Sequence, residues 1–337
     1  MQDTGAGVAG KGVTGRWRVG PDLPFVPALV AMVLVTLGPG LLAVREAGLR
    51  GMPDPHVFGS FIFFLQIFVI ILGAMALAQL VVLMRAREAS PIDALRRRFG
   101  RAELASLVAW MLLLCLNLAL FGVVKPVLGQ VVPFDMDVAF AQADAAIFGT
   151  DPWRLFTVFN HPGMPLLYHQ GWFAVLFATL IALALQGRHR ALLAYALIWT
   201  LVAPLVHLLW PAAGPLFWDE LGLGQRFAAI PMTAETAMTE AYLWQGFVDG
   251  EFNTAGGISA MPSVHIATSF WLVMVAWESP RWRLPAIAFF LYMWGASVAI
   301  GWHYWVDGLA GVGVALIAYA LAEGLARLVN GAGRSAG

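Results

Sequence analysis

The sequence predicts an all-α, polytopic membrane protein with about eight transmembrane helices. Hydrophobic residues make up 60% of the 337-residue chain and charged residues only 12%, a balance unlike that of soluble globular proteins. The mean hydropathy of +0.76 agrees with this composition. Apolar runs recur at the length of about 20 residues that a helix needs to cross a bilayer. No long polar block separates them, so we expect one integral membrane domain.

The apolar runs place the individual helices. They lie at residues 24–44, 57–84, 104–124, 165–186, 191–210, 261–278, 284–300 and 305–328. Residues 1–23 are polar and glycine-rich, and we expect them to form a disordered cytoplasmic tail. The first run is too long for a cleavable signal peptide and has no clear small-residue cleavage site, so we expect it to remain as a transmembrane helix.

The basic residues indicate the orientation of the helices. If the runs alternate between the two sides, most of the 20 Lys and Arg share one face, in both tails, the loop of residues 85–103 and the turns at 187–190 and 278–283. By the positive-inside rule this face is cytoplasmic, and so are both termini. The opposite, outer face receives the long segments 125–164 and 211–260, whose short apolar pieces predict interfacial helices.

Charge and cysteine content narrow the class further. The formal net charge is zero, so no nucleic-acid partner is predicted. The single cysteine, Cys115, lies within an apolar run, where it is expected to be a packing residue. No disulfide within the chain is possible.

Two histidines and an aspartate are predicted to meet at the outer face. Because the sixth helix runs inward and the seventh returns outward, topology alone brings His265 and His303 to one side. Asp307 follows His303 by four residues and shares its helical face. A carboxylate there can hold one imidazole nitrogen and leave the other free as a base or nucleophile. Pro262 suits the first turn of the sixth helix, whose free amides and Ser263 hydroxyl are suited to bind a phosphate.

An interfacial anchor and a metal site compete with a catalytic role for these residues. Trp302, Tyr304 and Trp305 surround His303 like an aromatic belt, which would make the histidine an interfacial anchor. The two histidines and the carboxylate are also three groups of the kind that bind zinc. However, ionisable residues at the edge of a span are functional by default, and three converge here. We therefore predict a catalytic or binding role for them.

The same residues resemble the motifs of a known family. The segment MPSVH (261–265), with GWHYWVDGLAG (301–311) further along, resembles the second and third signature motifs of the type 2 phosphatidic acid phosphatase superfamily. The segments FDMDVAFAQADAAIFGTDPW (134–153) and WPAAGPLFWDELG (210–222) are similar to lumenal loops of its inositol phosphorylceramide synthase branch. The resemblance covers roughly residues 104–328.

The resemblance implies a role for each matching residue. His303 would be the nucleophile that takes the phosphoryl group, and Asp307 would orient it. His265 would be the general acid that protonates the leaving alkoxide. Ser263 and the amides that follow it would hold phosphate oxygens. Neither a metal nor another cofactor would be needed.

The resemblance also implies a division of the chain. Residues 101–329 would form a six-helix catalytic membrane domain. Residues 24–100 would add two transmembrane helices and a basic cytoplasmic loop. Residues 330–337 would form a cytoplasmic tail.

The sequence departs from the family at two motifs. Ala296 and Ser297 stand where the third motif usually has Ser-Arg, and Lys125 with Pro126 is the nearest counterpart of the first motif. A phosphodiester carries about one negative charge fewer than a monoester at neutral pH. The lost cations therefore favour a diester, with Lys125 as its phosphate contact. A lysine at the end of an apolar run can also simply snorkel.

Six more polar residues of the outer face are candidates for a headgroup pocket. They are Asp135, Asp137, Arg154, His161, His169 and Arg226. The two aspartates would bind a polyol or solvate a turn. For the remaining four, a surface position is the alternative.

These observations predict an integral membrane phosphotransferase whose partners are membrane lipids. It would move a phospho-headgroup, such as phosphoinositol, from a glycerophospholipid to a lipid hydroxyl, such as that of ceramide, through a phosphohistidine. The active site would lie at the extracytoplasmic face. The enzymatic alternative is a phosphatase for lipid phosphates or diphosphates. A transporter is the third hypothesis, but the middles of the runs hold too few polar groups for a relay.

Overall fold

The prediction of an all-α membrane protein is confirmed by the structure, a computed structural model that describes residues 22–252 and 256–335. These residues form helices and connecting loops without a β-strand. The predicted disordered tail falls almost wholly outside the described residues. The helices are α1 (Phe25–Leu49), α2 (Val57–Arg85), α3 (Pro91–Arg98), α4 (Arg101–Val131), α5 (Asp137–Phe148), α6 (Met164–Leu185), α7 (His189–Leu209), α8 (Ala234–Asp249), α9 (Val264–Ala276), α10 (Pro280–Ala299) and α11 (Trp305–Ser335).

Six of the described helices are long and apolar enough to cross a membrane, namely α1, α2, α4, α6, α7 and α11. The remaining two predicted spans correspond to α9, with 13 residues, and α10, with 20. Several helices continue past their apolar runs, because backbone hydrogen bonding does not stop where hydrophobicity does. The last helix reaches Ser335, so most of the predicted tail at 330–337 is helical.

The helices pack around a core formed mainly by α4, α6, α7, α9 and α11. In this core α9 contacts both α10 and α11, while α4 contacts α1 and α2. By contrast, α2 buries only Phe64 and Phe68, so most of its surface faces outward. This exposure is what a lipid-facing helix requires, because apolar side chains need no cover in a bilayer.

A buried polar side chain in the middle of α4 connects three helices. Asn117 donates hydrogen bonds from Nδ2 to Thr36 Oγ1 of α1, at 3.0 Å, and to Thr200 Oγ1 of α7, at 3.2 Å. Thr200 in turn donates to the Val35 carbonyl oxygen at 2.7 Å. Hydrogen bonds of this kind hold membrane helices together. Asn117 therefore has a structural role.

A glycine allows the start of α9 to approach α11 closely. The backbone N–H of Ser263 donates to the Asp307 carbonyl oxygen at 3.2 Å. A Cβ atom at Gly311 would lie 2.6 Å from the Ser263 carbonyl oxygen, which no side chain tolerates. Gly311 therefore allows the segment that carries His265 to pack closely against α11, whose start follows His303.

Candidate active site

A cavity of about 380 Å³ lies between α2, α4, α6, α8 and the start of α9. Its basic lining residues are Lys125, His169, His265 and His303. No acidic side chain lines it among the residues that the structure describes. Much of the remaining wall is aromatic, including Tyr168, Trp172, Phe173, Trp199, Tyr242 and Trp302. The cavity thus combines a cluster of basic groups with an apolar wall, as an amphiphilic anion would require.

His303 has one ring nitrogen fixed by the fold. Its Nδ1 lies 2.8 Å from the Ala260 carbonyl oxygen. A carbonyl oxygen can only accept, so Nδ1 carries the proton and Nε2 keeps a free lone pair. Burial, opposed by the Ala260 hydrogen bond and assisted by the charge of Lys125, lowers the pKa of His303 to about 3. The ring is therefore neutral at pH 7, as a nucleophile must be.

Asp307 lies beside His303 but makes its hydrogen bond elsewhere. Its Oδ2 is 3.5 Å from His303 Nδ1 and accepts a 2.8 Å hydrogen bond from the Tyr304 N–H. The residue is fully buried. The orienting hydrogen bond of His303, predicted to be to Asp307, is thus donated by Nδ1 to the Ala260 carbonyl oxygen. Asp307 places its carboxylate near Nδ1 and caps the first turn of α11.

His265 lies in the first turn of α9, facing the cavity. Its ring centroid is 6.2 Å from that of His303. It is held between Tyr168, at 4.7 Å and an interplanar angle of 21°, and Trp172, at 4.2 Å and 36°. These aromatic contacts fix the ring without using its nitrogens. The two predicted catalytic histidines therefore lie within reach of one bound group.

Ser263 and Pro262 differ from their predicted roles. The helix begins at Val264, so Pro262 precedes the helix instead of lying in its first turn. Ser263 is the N-cap, and its Oγ accepts a hydrogen bond from the Ile266 N–H at 3.4 Å. The serine is fully buried and does not line the cavity. The fold therefore uses its side chain to cap the helix.

Lys125 lines the cavity without a hydrogen bond or ion pair to any described residue. Its side chain packs against Gly257, where a Cβ atom would lie 3.0 Å from Lys125 Cγ. Gly257 has a φ of 82°, which favours glycine. This backbone contact fixes the lysine stem and leaves the ammonium group for a ligand in the cavity.

The positions of the missing Ser-Arg pair lie inside the helix bundle. Ala296 and Ser297 of α10 are both fully buried. Ser297 Oγ donates to the Trp294 carbonyl oxygen at 2.8 Å. Neither residue lines the cavity. This part of the bundle therefore supplies no cation to the site.

Five of the six candidates for a headgroup pocket do not meet at the cavity. Asp135, Arg154 and His161 are exposed. Arg226 pairs with Asp151 through Nη2 and Oδ1, 2.6 Å apart. Asp137 is buried and bonded within the protein. The structure therefore does not bring these residues together with the two histidines, whereas it does bring His169 there.

Two aspartates of α5 hold the turn that carries His303. Asp137 accepts hydrogen bonds from the N–H groups of Ala213 and Gly214, at 2.9 and 2.8 Å, and from the Tyr304 hydroxyl at 2.8 Å. Burial raises its pKa, and these hydrogen bonds oppose the shift. Seven residues later, Asp144 accepts from the N–H groups at the start of α11, Trp305 at 2.6 Å and Val306 at 3.1 Å. Burial raises the pKa of Asp144 to about 6.

Replacing Asp137 by alanine should destabilise the protein. The change removes the acceptor of three buried donors, and each unsatisfied donor costs about 1–3 kcal/mol. We expect the melting temperature in detergent to fall by several degrees. Asp135→Ala, an exposed aspartate two residues earlier, is the matched control. Equal melting temperatures for the two variants would contradict the role assigned to Asp137.

Replacing His303 by glutamine should make thermal stability less sensitive to acid. The pKa of His303 is about 3 in the folded chain and about 6.5 for an unperturbed histidine. The stability contributed by the neutral ring is therefore complete above pH 6.5 and is lost as the pH falls toward 3. Between these values the melting temperature of His303→Gln should fall less steeply than that of the wild type. An unchanged slope would refute the low pKa, and exposed His161→Gln serves as the control.

Some site residues were missed from the sequence. Ala260 acts through its carbonyl oxygen, which no residue type reveals. Asp144 could have been predicted from its spacing, because it lies seven residues after Asp137 and therefore on the same face of a largely apolar helix. His169 was placed in a headgroup pocket, but its position beside His265 depends on a π-helical segment, Leu167–Gly171.

The fold and the cavity define a polytopic membrane protein with a paired-histidine site. Residues 156–321, just under half of the chain, match the family model described as the PAP2 superfamily. The match includes both histidines and Asp307, whereas Lys125 lies before it. The family match indicates a phosphatase or phosphotransferase that acts on a lipid phosphate. Searches of the curated proteins and of the solved structures found no match.

Proposed function

We propose that this protein is a lipid phosphotransferase that moves a phospho-headgroup from a glycerophospholipid to a lipid hydroxyl, such as that of ceramide. The observation that carries the proposal is the geometry of the two histidines. Their ring centroids lie 6.2 Å apart, and both rings line one cavity. The hydrogen bond from Nδ1 to the Ala260 carbonyl leaves Nε2 of His303 free to attack. An in-line displacement needs a nucleophile on one side of phosphorus and an acid at the leaving oxygen, and the proposal assigns these places to His303 and His265.

The first half of the reaction forms a phosphohistidine. The Nε2 lone pair of His303 attacks phosphorus, and the bond from phosphorus to the glycerol oxygen breaks. His265, protonated beforehand, gives its proton to that oxygen, so diacylglycerol leaves as a neutral alcohol. Lys125 balances the negative charge of the phosphate.

The second half returns both histidines to their starting states. The acceptor hydroxyl gives its proton to His265, and its oxygen attacks phosphorus. The bond from phosphorus to nitrogen breaks, and its electron pair returns to Nε2 of His303. No net proton is gained or lost, so the same two residues serve both steps.

Two features support a lipid acceptor and a diester donor. The wall of the cavity is largely aromatic, which suits a hydrocarbon chain better than bulk water. The cavity lining holds Lys125 as its one Lys or Arg among the described residues, and the buried positions 296 and 297 add none. A monoanionic diester needs fewer cations than a monoester.

A panel of lipids tests the proposal. Purified protein would be incubated with individual phospholipids, phosphatidylinositol included, with and without ceramide, and the products identified by mass spectrometry. A new phosphorylated sphingolipid together with diacylglycerol is the expected result. Release of inorganic phosphate or of a free phospho-headgroup, without transfer, would replace the proposal by hydrolysis.

Replacing Lys125 by methionine should raise KM for the phospholipid by about tenfold or more. The change removes a charge-assisted hydrogen bond to phosphate, which contributes about 1.5–3 kcal/mol. Lys125→Arg keeps the positive charge and should retain most of the affinity. If Lys125→Met leaves KM unchanged, the lysine does not contact the phosphate.

A further inference from the structure

A π-helical segment turns two neighbouring residues toward the active-site cavity. Leu167–Gly171 in α6 is wound more widely than an α-helix, a feature often found at functional sites. Tyr168 stacks on His265, and the next residue, His169, lines the same cavity. In a regular α-helix consecutive side chains point about 100° apart. This π-helical segment thus carries a third histidine that lines the site.

The rings of His303 and His169 are both neighbours of the His265 ring. Ring centroids lie 6.2 Å apart between His303 and His265, and 6.3 Å apart between His265 and His169. A ring nitrogen reaches an acceptor oxygen at about 2.9 Å. His265 thus neighbours both other rings, and a phosphate group bound beside His265 lies next to all three side chains.

The side chain of His169 makes no hydrogen bond to any residue that the structure describes. Its ring contacts are aromatic, with Tyr168 at 5.0 Å and with His265. Glu235, in the first turn of α8, is the acidic residue whose charge reaches it, and this glutamate does not line the cavity. The ring nitrogens of His169 are thus available to a ligand.

We propose that His169 is a further substrate-binding residue, which donates an N–H group to a non-bridging oxygen of the substrate phosphate. The inference rests on the proposed function for its substrate, a lipid phosphodiester. In that mechanism His303 is the nucleophile and His265 is the acid and base. Lys125, on α4, balances the negative charge of the phosphate. His169 supplies a second contact from α6, in a site where the buried positions of the missing Ser-Arg pair supply none.

Three variants separate phosphate binding from a structural role. His169→Phe keeps the aromatic ring beside Tyr168 and removes both nitrogens. His169→Gln restores an N–H donor of similar reach. His161→Phe changes an exposed histidine that precedes α6 and does not line the cavity. All three would be purified in detergent, and their melting temperatures compared, before kinetics.

The kinetic arm measures KM and kcat for the phospholipid donor. We expect His169→Phe to raise KM by about tenfold to a hundredfold, as the loss of a charge-assisted hydrogen bond predicts, with a smaller change in kcat. His169→Gln should recover most of this loss, and His161→Phe should match the wild type. An unchanged KM in His169→Phe, or equal losses in the Phe and Gln variants, would overturn the inference.

A binding arm keeps the inference separate from the proposed function. Inorganic phosphate would be titrated into each protein, and binding followed by the change in intrinsic tryptophan fluorescence, since Trp172, Trp199 and Trp302 line the cavity. Binding that weakens in His169→Phe and recovers in His169→Gln supports the site even if no lipid is transferred, in which case the proposed function alone fails. If phosphate does not bind, or if its affinity is the same in the wild type and both variants, the inference is overturned.

Discussion

Replacing His303 by asparagine should abolish lipid turnover, with a loss of at least about 10³-fold. The structure holds Nδ1 of His303 against the Ala260 carbonyl, so Nε2 is the atom that can attack phosphorus. Asparagine fits the space, but its amide nitrogen has no lone pair of comparable nucleophilicity. The covalent intermediate then cannot form, and the remaining residues can only bind the substrate.

The measurement should follow both turnover and the intermediate. Substrate labelled in its phosphate would mark the wild-type protein on a histidine, and peptide mapping should locate the label at residue 303. His303→Asn should carry no label while eluting and melting as a folded protein. His161→Asn, a change of the same kind at an exposed histidine, should keep the activity of the wild type. Substantial turnover by folded His303→Asn would disprove the assignment of the nucleophile.

The pairing of the histidines could be predicted because topology and short-range spacing decide it. His265 lies at the start of one apolar helix, and His303 lies just before the start of another. Because the helices cross the membrane alternately, these two helix starts lie on one side. Both histidines do line a single cavity. The hydrophobic pattern also located the helices, since apolar runs of sufficient length define membrane spans.

The details of the site could not be predicted, because they depend on contacts between distant parts of the chain. The hydroxyl of Tyr304 bonds to Asp137, which is 167 positions away. Arg226 pairs with Asp151 across 75 positions and so is not directed to a headgroup. Composition cannot tell a buried, internally bonded aspartate from a ligand-binding one. The same limit applies to Ser263, whose motif suggests phosphate binding while the fold uses it as a helix cap.

Part of the cavity lining comes from residues that precede the family match. Ser60 and Phe64 of α2 and Lys125 of α4 line the cavity, although all three precede the residues that match the PAP2 family model. Two lining residues therefore come from the helices that were expected to pack outside a six-helix core. The family match covers both histidines, whereas part of the cavity wall comes from residues that precede it.

Replacing His265 by glutamine should slow transfer from a phospholipid by about 10²–10⁴-fold, the usual contribution of a general acid or base. In the proposed reaction the leaving group is a lipid alkoxide, which is too basic to depart without a proton. The ring centroid of His265 lies 6.2 Å from that of His303, and both rings line the cavity. Glutamine can occupy the gap between Tyr168 and Trp172, but it cannot deliver a proton.

A change of leaving group distinguishes this role from simple damage to the site. A p-nitrophenyl phosphodiester releases a weakly basic phenolate that needs no proton, so His265→Gln should form the phosphohistidine from it at nearly the wild-type rate. His303→Asn should fail with both substrates, because the nucleophile is required whatever departs. The initial burst of p-nitrophenolate reports the first step alone and is the quantity to compare. If His265→Gln loses as much of the burst as it loses of lipid turnover, His265 positions the substrate and another group supplies the proton.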